Sequence, residues 1–88
     1  MKPVITLYVE AACAICMRAR RTLVECSELG AIAEIRVVDV LAQPEGVPNT
    51  FVGVPTTVFD GRIVALGTPD CSELVSVVRA SIRERKRE

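Results

Sequence analysis

Runs of apolar residues alternate with helix-like stripes along the chain, and the two periodicities divide it into elements. Val4–Val9 (Val-Ile-Thr-Leu-Tyr-Val) is β-branched and aromatic with one polar interruption, which predicts a strand buried on both faces. From Cys13 to about Leu29 the apolar positions Ile15, Ala19, Leu23 and Cys26 recur at helical spacing, and Gly30 supplies the stop. Glu34–Val40 predicts a second strand, so residues 4–40 have the size of a βαβ unit with parallel strands. Residues 41–53 hold two prolines and two glycines, which leaves room for one short turn of helix. Thr56–Asp60 and Arg62–Leu66 predict two strands, and Asp60-Gly61 between them is a two-residue hairpin signal. Gly67 closes the last strand. Thr68-Pro69-Asp70 then predicts a helix start, with Thr68 capping and Pro69 at the first helical position. That helix is expected to reach about Arg83, with Leu74, Val75, Val78 and Ile82 inward and the charged end, residues 83–88, frayed.

With 88 residues the chain suits one α/β domain, 1–88, and half of them are apolar. The sequence has one Tyr, two Phe and no Trp, so its core must be built from aliphatic side chains. Eleven basic residues balance eleven acidic ones, which argues against nucleic-acid binding driven by net charge. The longest apolar run, Ala11–Met17, is far below the roughly 20 residues that span a bilayer. The expectation is a cytoplasmic monomer with neither a nucleic-acid nor a membrane partner.

Four cysteines carry the candidate chemistry: Cys13, Cys16, Cys26 and Cys71. In a secreted chain an even set would suggest two disulfides, but nothing here points to secretion. The absence of histidine removes Cys-His catalytic pairs and His-containing zinc sites. Cysteines three apart on a helix share one face, with Cβ atoms roughly 5–6 Å apart, close enough to bridge after small adjustment. At a helix cap Cys13 would meet free N–H groups and the positive end of the helix, a setting that favours a thiolate, whereas Cys16 one turn in would be shielded. That asymmetry suits disulfide exchange, in which Cys13 attacks and Cys16 resolves. Cys26 falls on the apolar stripe and reads as a core residue. Cys71, in the first turn of the last helix, reads as a possible third redox thiol near the C-x-x-C mouth. The spacing argues against a four-cysteine zinc site, because about 20 Å of helix would separate Cys13 from Cys26.

A buried strand before Cys13-Ala14-Ile15-Cys16, then Gly53-Val54-Pro55-Thr56, the Asp60-Gly61 hairpin and Gly67-Thr68-Pro69-Asp70 follow one another in an order that resembles the thioredoxin and glutaredoxin superfamily. The resemblance implies a minimal thioredoxin-like fold, β-α-β-(short or absent helix)-β-β-α, with a four-stranded mixed sheet and helices packed on it. It implies redox catalysis by Cys13 and Cys16, with Ala12, Ala14 and Ile15 around them in contact with substrate. It implies a cis Pro55 facing the cysteines, and Val54 offering its backbone to an extended segment of a disulfide-containing protein. Thr68 and Asp70 would mark a helix start able to hold glutathione as co-substrate. No resident cofactor or metal is implied, and electrons would come from an upstream reductase or a low-molecular-weight thiol. The chain departs from the family in three respects: Ala14-Ile15 lies between the cysteines, Leu7 stands where thioredoxins carry a buried acid, and the usual second helix is almost absent. Two other readings stay open: a soft-metal module carrying Cu(I) or Zn(II) on its cysteines, and a non-catalytic interaction domain using the edge at Val54.

Overall fold

The computed structural model describes residues 2–48 and 53–87. Strand β1 (Val4–Val9) leads through a turn into helix α1 (Ala14–Glu25), followed by a short helix α2 (Ser27–Ile32) and strand β2 (Glu34–Asp39). Among the described residues of the next connection there is a 3-10 turn at Pro44–Gly46, and residues 49–52, which share the expectation of one short helical turn, lie outside the described residues. Strands β3 (Thr56–Phe59) and β4 (Arg62–Leu66) and helix α3 (Cys71–Arg87) complete the chain. The four strands form one sheet in the order β2-β1-β3-β4. β1 runs parallel to β2 and antiparallel to β3, and β3 and β4 are antiparallel. This is the mixed α/β architecture that the pattern predicts.

The core is aliphatic, as the scarcity of aromatics requires. Ile5, Leu7 and Val9 on β1 and Phe59 on β3 meet Cys16, Ala19 and Leu23 of α1, Leu29 of α2, and Leu74, Val75 and Val78 of α3. Each fully buried Leu or Val contributes about 1.5–3 kcal/mol relative to exposure, and this cluster is what holds the helices on the sheet. The hairpin turn forms as its sequence requires. Asp60 and Gly61 both take positive φ, 56° and 76°, the pair of angles that a type I′ turn needs and that Asp-Gly tolerates.

Four expectations are corrected. The long first helix is two helices, broken at Cys26, whose ψ of 84° takes it out of the helical region and whose side chain is bonded to Cys71. Gly30 does not end the helix. The chain stays helical to Ile32 because Leu29 and Ala33 are buried in the core, which outweighs the ~1 kcal/mol that an exposed helical glycine costs. The last helix begins at Cys71, with Asp70 rather than Thr68 as its cap. The Asp70 carboxylate accepts from the Glu73 N–H at 3.0 Å, and the Leu74 N–H reaches the Asp70 carbonyl at 3.1 Å. Aspartate is among the strongest N-caps, and it wins over the threonine two residues earlier. The far end of α3 does not fray at Arg83 but runs to Arg87, in a stretch of good helix formers where Arg85 reaches Asp60 of the hairpin at 3.5 Å.

Candidate active site

The parallel β1 ends at Val9, and the turn after it delivers Cys13 to the N-cap of α1 in extended conformation, φ −97° and ψ 113°. The Cys13 N–H is tied back to the Glu10 carbonyl at 3.2 Å, which sets the turn. The first turn of α1 contains no acidic residue. The acceptor it finds is sulfur: the Cys16 N–H donates to Cys13 Sγ at 3.1 Å. An anionic sulfur is the stronger acceptor at such a helix end. Both thiols are free, with Cys13 half-buried and Cys16 buried. Burial pushes the Cys16 thiol above its usual range, and its contact with Cys13 and the Glu10 charge push the same way, while a hydrogen bond with the Glu10 backbone partly offsets them.

Ala12 and Ala14 are exposed beside Cys13, and Ile15 is 52% exposed, so the dipeptide between the cysteines faces outward. The sheet register brings the Val54–Pro55 segment to the same end. Tyr8 pairs with Thr56, so Pro55 lies level with the last residue of β1, from which the turn to Cys13 departs. The Val54–Pro55 bond is cis, and the Pro55 carbonyl accepts from the Gly67 N–H at 3.0 Å. Val54 is half-buried, and Leu66, paired with Thr56, is 65% exposed at that end. The fold thus assembles Ala12, Cys13, Ala14, Ile15, Cys16, Val54 and Pro55 at one rim of the sheet.

Thr68 follows Gly67, whose N–H donates to the Pro55 carbonyl, and so stays beside this rim, whereas Asp70 lies with the other cysteine pair. Asp70 adjoins Cys71, whose Cα lies 5.9 Å from that of Cys26, and Cys26 stands about 19 Å of helix axis from Cys13. The Asp70 carboxyl, hydrogen-bonded by Ser72 Oγ at 2.7 Å and by the Glu73 N–H, is held below the usual carboxylate range. A like charge therefore already fills the helix end where an anionic ligand was expected. The readings of Cys26 and Cys71 change with it. Cys26 is in the core as expected, but it is disulfide-bonded to Cys71 rather than a free thiol, and Cys71 is neither free nor at the C-x-x-C mouth. Spacing alone could not disclose a bond across 45 residues.

The sequence reading assigns no role to Glu10. A groove of about 410 Å³ runs beside the buried cysteine, lined by Glu10, Cys16, Met17, Arg20, Asp39 and others. The signal was available: an acid three residues before Cys13 and six before Cys16, in a chain with no histidine. Among the described residues no cluster of three or more His, Cys, Asp or Glu side chains is placed to hold a metal ion. Among them, too, no helix is long and apolar enough to cross a membrane.

No protein-family model matches the chain. No curated protein matches it either. Among solved structures it is similar to reduced desulfothioredoxin from Desulfovibrio vulgaris Hildenborough, determined in solution. The two share 27% sequence identity at a TM-score of 0.63, over 92% of this chain and 82% of the other. With its strand order, its helices and the cysteine pair at the head of α1, the chain belongs to the thioredoxin-like superfamily.

Proposed function

We propose that the chain is a small dithiol–disulfide oxidoreductase. The observation that carries the reading is the cap of α1, where Cys13 Sγ accepts the Cys16 N–H at 3.1 Å above a buried, free Cys16. Cys13, as thiolate, attacks one sulfur of a substrate disulfide, forming a mixed disulfide and expelling the first substrate thiolate. Cys16 then attacks Cys13 Sγ, closing the Cys13–Cys16 disulfide and releasing the second thiolate. The substrate gains two electrons, the cysteine pair loses two, and the two protons of the pair end on the two substrate sulfurs. The likeness to a thioredoxin supports this class of chemistry.

The substrate in this reading is a disulfide-containing protein whose extended segment pairs with the Val54 backbone beside the cis Pro55, while Ala12, Ala14 and Ile15 form the apolar floor. An upstream reductase or a low-molecular-weight thiol returns the electrons. Glutathione enters only as such a diffusing thiol, because Asp70 occupies the helix end that would have held its carboxylate. A cytoplasmic location and the Cys26–Cys71 bond pull in opposite directions, since disulfides persist mainly in oxidising compartments.

The test is reduction of a protein disulfide, driven by excess dithiol reductant, with and without the protein. Catalysed turnover that Cys13→Ser abolishes is the expected result. Turnover unchanged by that substitution, or none with the unmodified protein, would overturn the reading in favour of an interaction domain.

A further inference from the structure

Closing the Cys13–Cys16 disulfide requires Cys16 to lose its proton inside a buried site, and no histidine exists in the chain to take it. Burial makes that proton hard to remove. The ionisable groups at Cys16, its contact Cys13 and those that line the groove with it, come from three elements. Cys13 and Arg20 belong to α1 or its cap, Glu10 to the turn after β1, and Asp39 to the end of β2. Cys13 is the group under attack and is covalently occupied at that moment. Arg20 carries no lone pair that accepts a proton. Asp39 holds its own turn, its Oδ1 accepting from the N–H groups of Leu41 at 2.9 Å and Ala42 at 3.2 Å, and the carboxylate whose charge acts on Cys16 is that of Glu10. Glu10 remains. Its carbonyl fixes the Cys13 N–H at 3.2 Å, and it lines the same 410 Å³ groove as Cys16.

Resting on the oxidoreductase reading, we propose that the Glu10 carboxylate accepts the Cys16 proton as Cys16 attacks the mixed disulfide, and returns it to the departing substrate thiolate. The groove is much larger than the roughly 30 Å³ a water occupies, so one water can carry the proton between sulfur and carboxylate. The bookkeeping closes within the site. The S–S bond to substrate breaks, the Cys13–Cys16 bond forms, and the proton moves from Cys16 through Glu10 to the released sulfur. Arg20 on the same wall supplies the compensating positive charge.

Mixing the reduced protein with an aromatic disulfide that releases a coloured thiolate separates the steps. A first equivalent of colour reports attack by Cys13, and a second reports attack by Cys16. In Glu10→Gln the first phase is expected to be unchanged, which also shows that the variant is folded. The second phase should slow by roughly 100-fold near neutral pH, the lower range for loss of a positioned proton acceptor. The gap should close as pH rises and hydroxide takes over, and Glu10→Asp should recover part of the rate. A second phase as fast in Glu10→Gln as in the unmodified protein would overturn the proposal. So would slowing by the same factor at every pH, which marks a purely structural role. Absence of a second phase in the unmodified protein would remove the oxidoreductase reading and this proposal with it.

Discussion

A helix start holds Cys13 of one cysteine pair and both members of the other, Cys26 at the N-cap of α2 and Cys71 opening α3, yet the pairs' fates differ. Cys13 caps α1, whose first turn has no acidic residue, and its sulfur is the acceptor for a backbone N–H. Cys71 is the first residue of α3, whose N–H groups are already met by the Asp70 carboxylate and whose sulfur is bonded to Cys26. A helix N-terminus is therefore insufficient to make a reactive thiol. What counts is whether the helix end still lacks a negative partner when the sulfur arrives. The free pair sits at the rim beside cis Pro55, whereas the bonded pair joins the α1–α2 break to α3, where it can only hold helices together.

The comparison can be broken most sharply at Cys13. Cys13→Ser is expected to reduce disulfide-reductase turnover to background, measured as reduction of a protein disulfide. Cys16→Ser should keep the first attack but not the release, so a mixed disulfide with substrate accumulates and appears as a mass adduct on Cys13 under non-reducing conditions. Replacing the other pair, Cys26→Ala with Cys71→Ala, should act on stability alone. A bridge spanning 45 residues is worth about 4 kcal/mol by loop entropy, so the urea midpoint should fall while the rate of Cys13 attack persists.

The smallest effect concerns Asp70. Its folded carboxyl is held below the ordinary value of 3.8 by Ser72 Oγ and the Glu73 N–H. The stability it adds is present above that value and is lost as pH falls through the lower, folded one. Asparagine caps a helix about as well but does not titrate there. Asp70→Asn should therefore leave the urea midpoint at neutral pH nearly unchanged and flatten its decline below about pH 4.

Most of the fold was legible because local chemistry and tertiary demand agree. Asp60-Gly61 takes the two positive φ values its turn type needs, and Ile5, Leu7, Tyr8 and Val9 of the first apolar run are buried as its composition requires. Legibility failed where two local signals competed or a distant partner decided. Thr68 and Asp70 both qualify as caps, and only the geometry of α3 selects the carboxylate. Gly30 reads as a stop, but the burial of Leu29 and Ala33 on either side carries the helix through it. Cys26 looks like a small core residue because it is one, and its bond to Cys71 depends on how α3 lies against α2. At the candidate site, Cys13, Cys16, Val54 and Pro55 were readable from order along the chain, whereas Glu10 became a candidate only once a groove joined it to Cys16.

The central claim, that one pair is reactive and the other structural, is tested most directly by mapping alkylation of the four cysteines in the native protein, first reduced gently and then oxidised. The account predicts that Cys13 is labelled first and Cys16 more slowly. Both should become protected together on oxidation, while Cys26 and Cys71 stay unlabelled until the protein is unfolded and reduced. Labelling of Cys71 in the folded protein, or oxidation that protects Cys13 without Cys16, would contradict it.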